Sequence, residues 1–193
     1  MQKDPVKITL DDKSLECAKL IADQRFSVHQ KYSRPEYENT LGGHFVGACG
    51  EVAAYQLCSE RARDVKGYFF DLQDEANPDI VAGDKRIEVK TWSWYAWREG
   101  CGRCVTPNQL EKYKTKRVDA VLWCHWKDDV FRKPSRCLSI TEITGLNGID
   151  IMVVDWSTLA MIEAAPIRNT SLDATVRLNH KVEDGNNLED LFP

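Results

Sequence analysis

Asn77-Pro78-Asp79-Ile80-Val81-Ala82-Gly83-Asp84-Lys85-Arg86-Ile87-Glu88-Val89-Lys90-Thr91 reads as two short β-strands folded back on Gly83-Asp84. Gly-Asp is a hairpin signal, with glycine where positive φ is needed. Counting outward from the turn pairs Ala82 with Lys85, Val81 with Arg86, Ile80 with Ile87 and Asp79 with Glu88. Directly opposed residues share a face of the sheet, with Cβ atoms roughly 4.5–5.5 Å apart. Asp79 and Glu88 are therefore expected as neighbours, and strand alternation adds Lys90 to their face. Ile80, Ile87 and Val89 fall on the other face, toward a core.

Two adjacent carboxylates repel and destabilise a sheet. A divalent cation removes that cost, and hard oxygen ligands suit Mg²⁺, which typically takes one or two carboxylates and keeps several waters. The remaining coordination positions can hold a phosphate oxygen and a water whose pKa the ion lowers. The Lys90 ammonium, one strand step beyond Glu88, can orient that water and offset charge on the phosphate. The alternative is a surface hairpin in which Asp79 forms a salt bridge with Lys90.

Pro78-Asp79 followed by Glu88-Val89-Lys90 resembles the signature of the PD-(D/E)XK nuclease superfamily, and the resemblance runs from about Gly43 to Trp126. It implies a restriction-endonuclease-like core and Mg²⁺-dependent hydrolysis of phosphodiester bonds in DNA, less often RNA, with Mn²⁺ able to substitute. Asp79 and Glu88 would be metal ligands and Lys90 catalytic. In this superfamily a helix before the strands often presents a Glu to the metal, frequently after Gly. Glu51, in Gly47-Ala-Cys-Gly-Glu51, matches that place as a third ligand and catalytic residue; the alternative is a solvated Glu on a Gly/Ala packing helix. Gln109-Leu-Glu-Lys-Tyr113 is similar to the Gln-x-x-x-Tyr motif of RecB-like members, which implies a catalytic role for Gln109 and a nucleic-acid contact for Tyr113. The alternative is an amphipathic helix burying Leu110 and Tyr113. Among the basic residues around this motif and after the next strand (Lys112, Lys114, Lys116, Arg117, Arg132, Lys133, Arg136), Lys112 and Lys116 are the candidate phosphate contacts. Trp94 is the candidate for stacking on a base. Solvated faces and a satellite aromatic core are the corresponding alternatives.

Helical spacing follows Asp11-Asp12 to about His29 (Leu15, Ala18, Ile21, Ala22, Arg25, Phe26). A second helix is expected from after Gly43 to about Glu60, and a third behind Thr106-Pro107. Lys66 to Leu72, Val118 to Trp126, Leu138 to Ile143 and Ile151 to Trp156 read as strands. The expected fold class is α/β, a mixed central β-sheet flanked by helices. It forms a single domain over residues 1–180, with an acidic tail over 181–193 that docks on the domain or is mobile.

The 193 residues, 42% of them hydrophobic, suffice for one packed domain. The formal charge of −4 counts against non-specific coating of nucleic acid and toward a protein partner that brings the chain to its target. No apolar run reaches the roughly 20 residues of a membrane helix, and the first residues carry no apolar signal region. A soluble cytoplasmic protein, with no membrane association, is expected. Seven cysteines, an odd and scattered set, point to reduced thiols. Cys101-Gly-Arg-Cys104 has the spacing of half a zinc knuckle. Cys124, His125 and Cys137 lack the pair spacing of a second half, so structural Zn²⁺ is not the favoured expectation. The leading reading is a DNA endonuclease of restriction, repair or phage/host nucleic-acid processing. An exonuclease or resolvase on the same fold comes second. From a different class comes a non-catalytic nucleic-acid- or protein-binding module with a zinc knuckle. Cutting two strands usually needs two active sites, which makes a homodimer the plausible assembly.

Overall fold

A computed structural model describes residues 4–29, 41–71, 76–127, 148–172 and 175–192. The expected strand Leu138–Ile143, Cys137 and the basic residues Arg132, Lys133 and Arg136 lie outside them.

The hairpin forms in the expected register. Strands β3 (Ile80–Ala82) and β4 (Lys85–Trp92) pair antiparallel, with Ile80 opposite Ile87, Val81 opposite Arg86 and Ala82 opposite Lys85. Gly83 takes φ +60° and Asp84 has no positive φ, the pattern of a type II′ turn. Among the described residues, four more strands complete a six-stranded mixed sheet: β1 (Val6–Leu10), β2 (Val65–Gly67), β6 (Ala120–Trp126) and β7 (Ile149–Ser157), in the order β1-β7-β6-β4-β3-β2. Among the described strands of this sheet, only β4 and β6 run parallel. The central strand β6 is buried at every residue, as its unbroken apolar run requires.

Alternation divides the sheet into two faces. Ile80, Ile87, Val89, Leu122, Cys124 and Ile151 pack on one side against α1 (Asp12–His29) and α2 (Leu41–Arg61). Val121 and Trp123 pack on the other against α4 (Pro107–Thr115) and α5 (Leu159–Ala164), through Leu110, Tyr113 and Ile162. The α1 start is capped by Asp11, whose carboxylate accepts from the Ser14 N–H (2.9 Å) and hydroxyl (2.6 Å). Helix α4 opens with Pro107 in its first turn behind a Thr106–Gln109 capping box. Among the described residues, no helix is long and apolar enough to cross a membrane.

The expected single sheet is joined by a second, of order β5-β9-β8: β5 (Cys104–Val105), β8 (Ile167–Leu172) and β9 (Thr175–Lys181). A short helical turn, α3 (Trp94–Ala96), and a π-helical turn at Trp97–Cys101 lead into β5. The Cys101–Cys104 segment is pinned by Arg103, in the left-handed region at φ +52°. Its guanidinium donates to both oxygens of the buried Asp155 on β7 (2.5 and 3.1 Å). Lys181 donates to the carbonyls of Gly100 (2.9 Å) and Gly102. The acidic segment after Lys181 docks on the domain. Trp156 Nε1 donates to the Asn187 carbonyl (2.8 Å), and Leu188 and Leu191 enter the core beneath α1 and α2.

Helix α2 crosses β4 with almost no space between them. A Cβ on Gly50 would lie 1.7 Å from Thr91 Oγ1, so only glycine permits this approach, and Glu51 is set beside β4 by it. Gly50→Ala is expected to lower unfolding free energy by about 1–3 kcal/mol in urea denaturation, the usual cost of overpacking a close contact. Thr91→Ala in the same chain should recover part of the loss. A single Gly50→Ala variant as stable as wild type would show that the helix can lift off the strand at no cost.

Candidate active site

Asp79 stands one residue before β3, where its carbonyl accepts from the Tyr68 N–H (2.9 Å) and fixes its backbone. Its carboxylate turns to β4 and accepts from the Val89 N–H (2.8 Å). That hydrogen bond sets the acid against β4 between Glu88 and Lys90, one residue beyond the paired register, which ends at Ile80 and Ile87. Glu88 is 6% exposed and accepts from Lys116 Nζ (2.5 Å), sent across by the C-terminal end of α4. Glu51, 5% exposed, accepts from Arg25 on α1 through both carboxylate oxygens (2.6 and 2.7 Å). Helices from opposite faces of the sheet thus each send a cation to one acidic locus.

The charges are coupled. Burial pushes the Glu88 carboxyl up to about 8, and the Asp79 charge adds to the rise, while Lys116 and Lys90 pull it down. Burial pushes Glu51 up to about 7, with Arg25 opposing and Asp79 adding. The Tyr113 hydroxyl is raised well above its ordinary value by burial, and then by the charges of Glu88, Asp79 and Glu51. Its ring is 4% exposed, so it forms a buried wall beside the acids rather than a surface contact.

The other expected site residues fall in different places. Gln109 uses its side-chain oxygen to accept from the Thr106 N–H (3.1 Å), closing the cap of α4. Lys112 and Lys116 line a cleft of about 370 Å³ beside Asp79, with Arg25, Tyr68 and Asn77 among its other walls. Trp94 lies past the end of β4, its ring 5.2 Å from His125, while Trp92 packs between Trp97 and Trp123. Cys124 sits in the α1/α2 core close to Cys58, and Cys104 lies near Lys181. Among the described residues, no three His, Cys, Asp or Glu side chains converge closely enough to hold a metal ion as they stand.

Arg25 and the role of Lys116 toward Glu88 escape a reading by motif. Arg25 did leave a trace. It continues the buried stripe Leu15, Ala18, Ile21, Ala22 of α1, and an arginine there needs an acidic partner. No protein-family model, curated protein or solved structure matches the chain, so the reading of this site rests on its residues and their geometry.

Because the folded Glu88 carboxyl holds its proton to higher pH than the ordinary 4.5, the native state binds more protons than the unfolded chain between pH 4.5 and about 8. Stability must fall as pH rises through that window. In a chelating buffer, the thermal midpoint of the wild type should drop across it, and Glu88→Gln should flatten the slope. An unchanged slope in Glu88→Gln would mean that Glu88 titrates as it does in the unfolded chain.

Proposed function

We propose that the chain is a metal-dependent nuclease of the PD-(D/E)XK kind, an endonuclease that hydrolyses phosphodiester bonds in DNA with Mg²⁺. The observation that carries the reading is the placement of Asp79, Glu88 and Lys90 on one hairpin. Glu88 is buried, Asp79 lines the cleft beside it, and the Asp79 charge acts on the Glu88 carboxyl.

The donor chemistry fits such an ion. Carboxylate oxygens are the ligands Mg²⁺ prefers, and two of them suffice when water and phosphate oxygens complete the shell. Asp79 and Glu88 would hold it. When bound, the ion supplies Lewis-acid polarisation of the phosphate and an acidified water. Lys116 now donates to Glu88, and it would be the counter-charge that a bound divalent ion displaces and leaves available to phosphate. Lys90 carries its proton at Nζ on the same face and meets the charge that develops on phosphate. Glu51 acts one layer back: with both oxygens on Arg25, it fixes a guanidinium that lines the cleft. Gln109 contributes through the cap of α4, the helix that carries Lys112 and Lys116.

Plasmid, linear and single-stranded DNA with Mg²⁺ or Mn²⁺ provide the test. Lys90→Ala should reduce cleavage by at least about 100-fold, the scale of losing one positioned transition-state donor, with an unchanged circular dichroism spectrum. Mg²⁺ should also raise the thermal midpoint of the wild type and leave that of Asp79→Asn unmoved. No cleavage of any substrate with either ion sinks the enzymatic reading and leaves the binding-module alternative.

A further inference from the structure

We propose that the cleft beside Asp79 seats one unpaired nucleotide of the strand being cut, its base on the Tyr68 ring and its phosphate toward Lys116 and Lys112. The proposal rests on the nuclease reading and deepens it by naming the form of the substrate. The volume, about 370 Å³, lies at the small end of the range of roughly 300–1,000 Å³ typical of ligand pockets. It suits one nucleotide and is far too small for a base pair with its two backbones.

The lining is mixed in a way that suits a single base. One wall is aromatic, Tyr68. Another is amide and carboxylate, Asn77 and Asp71, groups that pair with base edges. Arg25, Lys112 and Lys116 bring positive charge to the lining, the first and last of them already paired with Glu51 and Glu88, and Asp71, Asp79 and Glu111 would repel a second phosphate. A continuous backbone is disfavoured there, whereas one base with one phosphate is not. Aromatic stacking with a cationic rim is also how proteins hold unpaired strands without reading a duplex.

The aromatic wall is rigidly tied to the acids. The Tyr68 N–H donates to the carbonyl of Asp79 itself (2.9 Å), and the Tyr68 carbonyl accepts from the Asp71 N–H (3.1 Å) in a tight turn. Asn77 donates from Nδ2 to Asp71 Oδ2 (3.1 Å), which ties two of the cleft's lining residues together. The next residues are held as well, with Gln24 Nε2 reaching the Phe70 carbonyl (3.4 Å) and Arg25 Nη2 the Phe69 carbonyl (3.5 Å). A base stacked on Tyr68 is thereby placed at a fixed step from Asp79, as positioning a scissile bond requires.

Two measurements on the full chain test this. The first compares kcat/KM on single-stranded or flapped DNA with that on the same sequence fully paired. Wild type should prefer the unpaired form. Tyr68→Ala should lose that preference mainly through KM, by about 5- to 150-fold, the span of one base–aromatic stack, and Tyr68→Phe should keep it. Asn77→Ala gives a second arm should Tyr68→Ala not fold. The second measurement is quenching of 2-aminopurine in single-stranded DNA, read in EDTA, so it needs no cleavage. If DNA is cut but paired and unpaired forms react alike, and Tyr68→Ala matches wild type on both, the cleft proposal is overturned and the nuclease reading stands. If nothing is cut, quenching kept by Tyr68→Phe and lost in Tyr68→Ala supports the nucleotide cleft without the chemistry. Absence of quenching in wild type overturns it.

Discussion

Two buried carboxylates, with a third beside them at the wall of a cleft, set the terms for this fold. Glu51 and Glu88 are 5% and 6% exposed, and Asp79 is close enough to raise both. An ionised carboxylate without a partner in such a place is very costly. The chain meets the cost in three ways. Arg25 comes from the layer on one face of the sheet, Lys116 from the layer on the other, and the Val89 N–H of the sheet itself serves Asp79. The acids thus couple both helical layers to the hairpin, and the cations paired with Glu51 and Glu88 come from far away in the sequence. The cluster exists only when the whole sheet sandwich is assembled.

Close packing makes this possible. Gly50 lets α2 approach Thr91, and Glu51 follows it in the helix. On the opposite face the Thr106–Gln109 box fixes the start of α4, and its last turn is held where Arg86 Nε donates to the Lys116 carbonyl (2.8 Å). Arg86 lies on β4 two residues before Glu88, so the strand that carries the acid also holds the end of the helix that carries its counter-ion. A carboxylate and its cation are then placed by backbone anchors rather than by the flexibility of a lysine side chain.

Much of the hairpin was legible because its physics is local. Gly83-Asp84 sets the turn, period-two alternation sets the faces, and Asp79, Glu88 and Lys90 follow from counting. Thr106 and Pro107 announced α4 for the same reason. Strand β1 carried a readable alternation in Val6, Ile8 and Leu10, but it is short and runs directly into the Asp11 cap, which draws the reading toward α1. The second sheet was not legible. Arg168, Asn169, Thr170 and Ser171 show no apolar alternation, and their strand is held by its pairing with β9. The docked tail hid for a related reason: acidic residues dominate its composition, while Leu188 and Leu191 supply its burial. The motif reading of Gln109 rests on its spacing to Tyr113 and its place after the Glu-x-Lys strand, neither of which shows that its side chain engages in a helix cap.

The ion pairs also bear on why the acids are there. Replacing a buried pair by apolar residues of similar volume is often neutral or stabilising, because desolvation offsets much of the attraction. Packing α1 and α4 on this sheet therefore does not call for carboxylates, and the apolar clusters on both faces already hold the layers. A fold built only for stability would fill the Glu51 and Glu88 positions with aliphatic side chains. The arrangement instead sets Glu51 and Glu88 behind a cleft that Asp79, Arg25 and Lys116 line, and leaves both glutamates with carboxyl groups raised toward neutrality. On the nuclease reading proposed above, such a site would exchange its resident ammonium and protons for a harder, more highly charged ion. That gives the buried charge a chemical reason which packing does not supply.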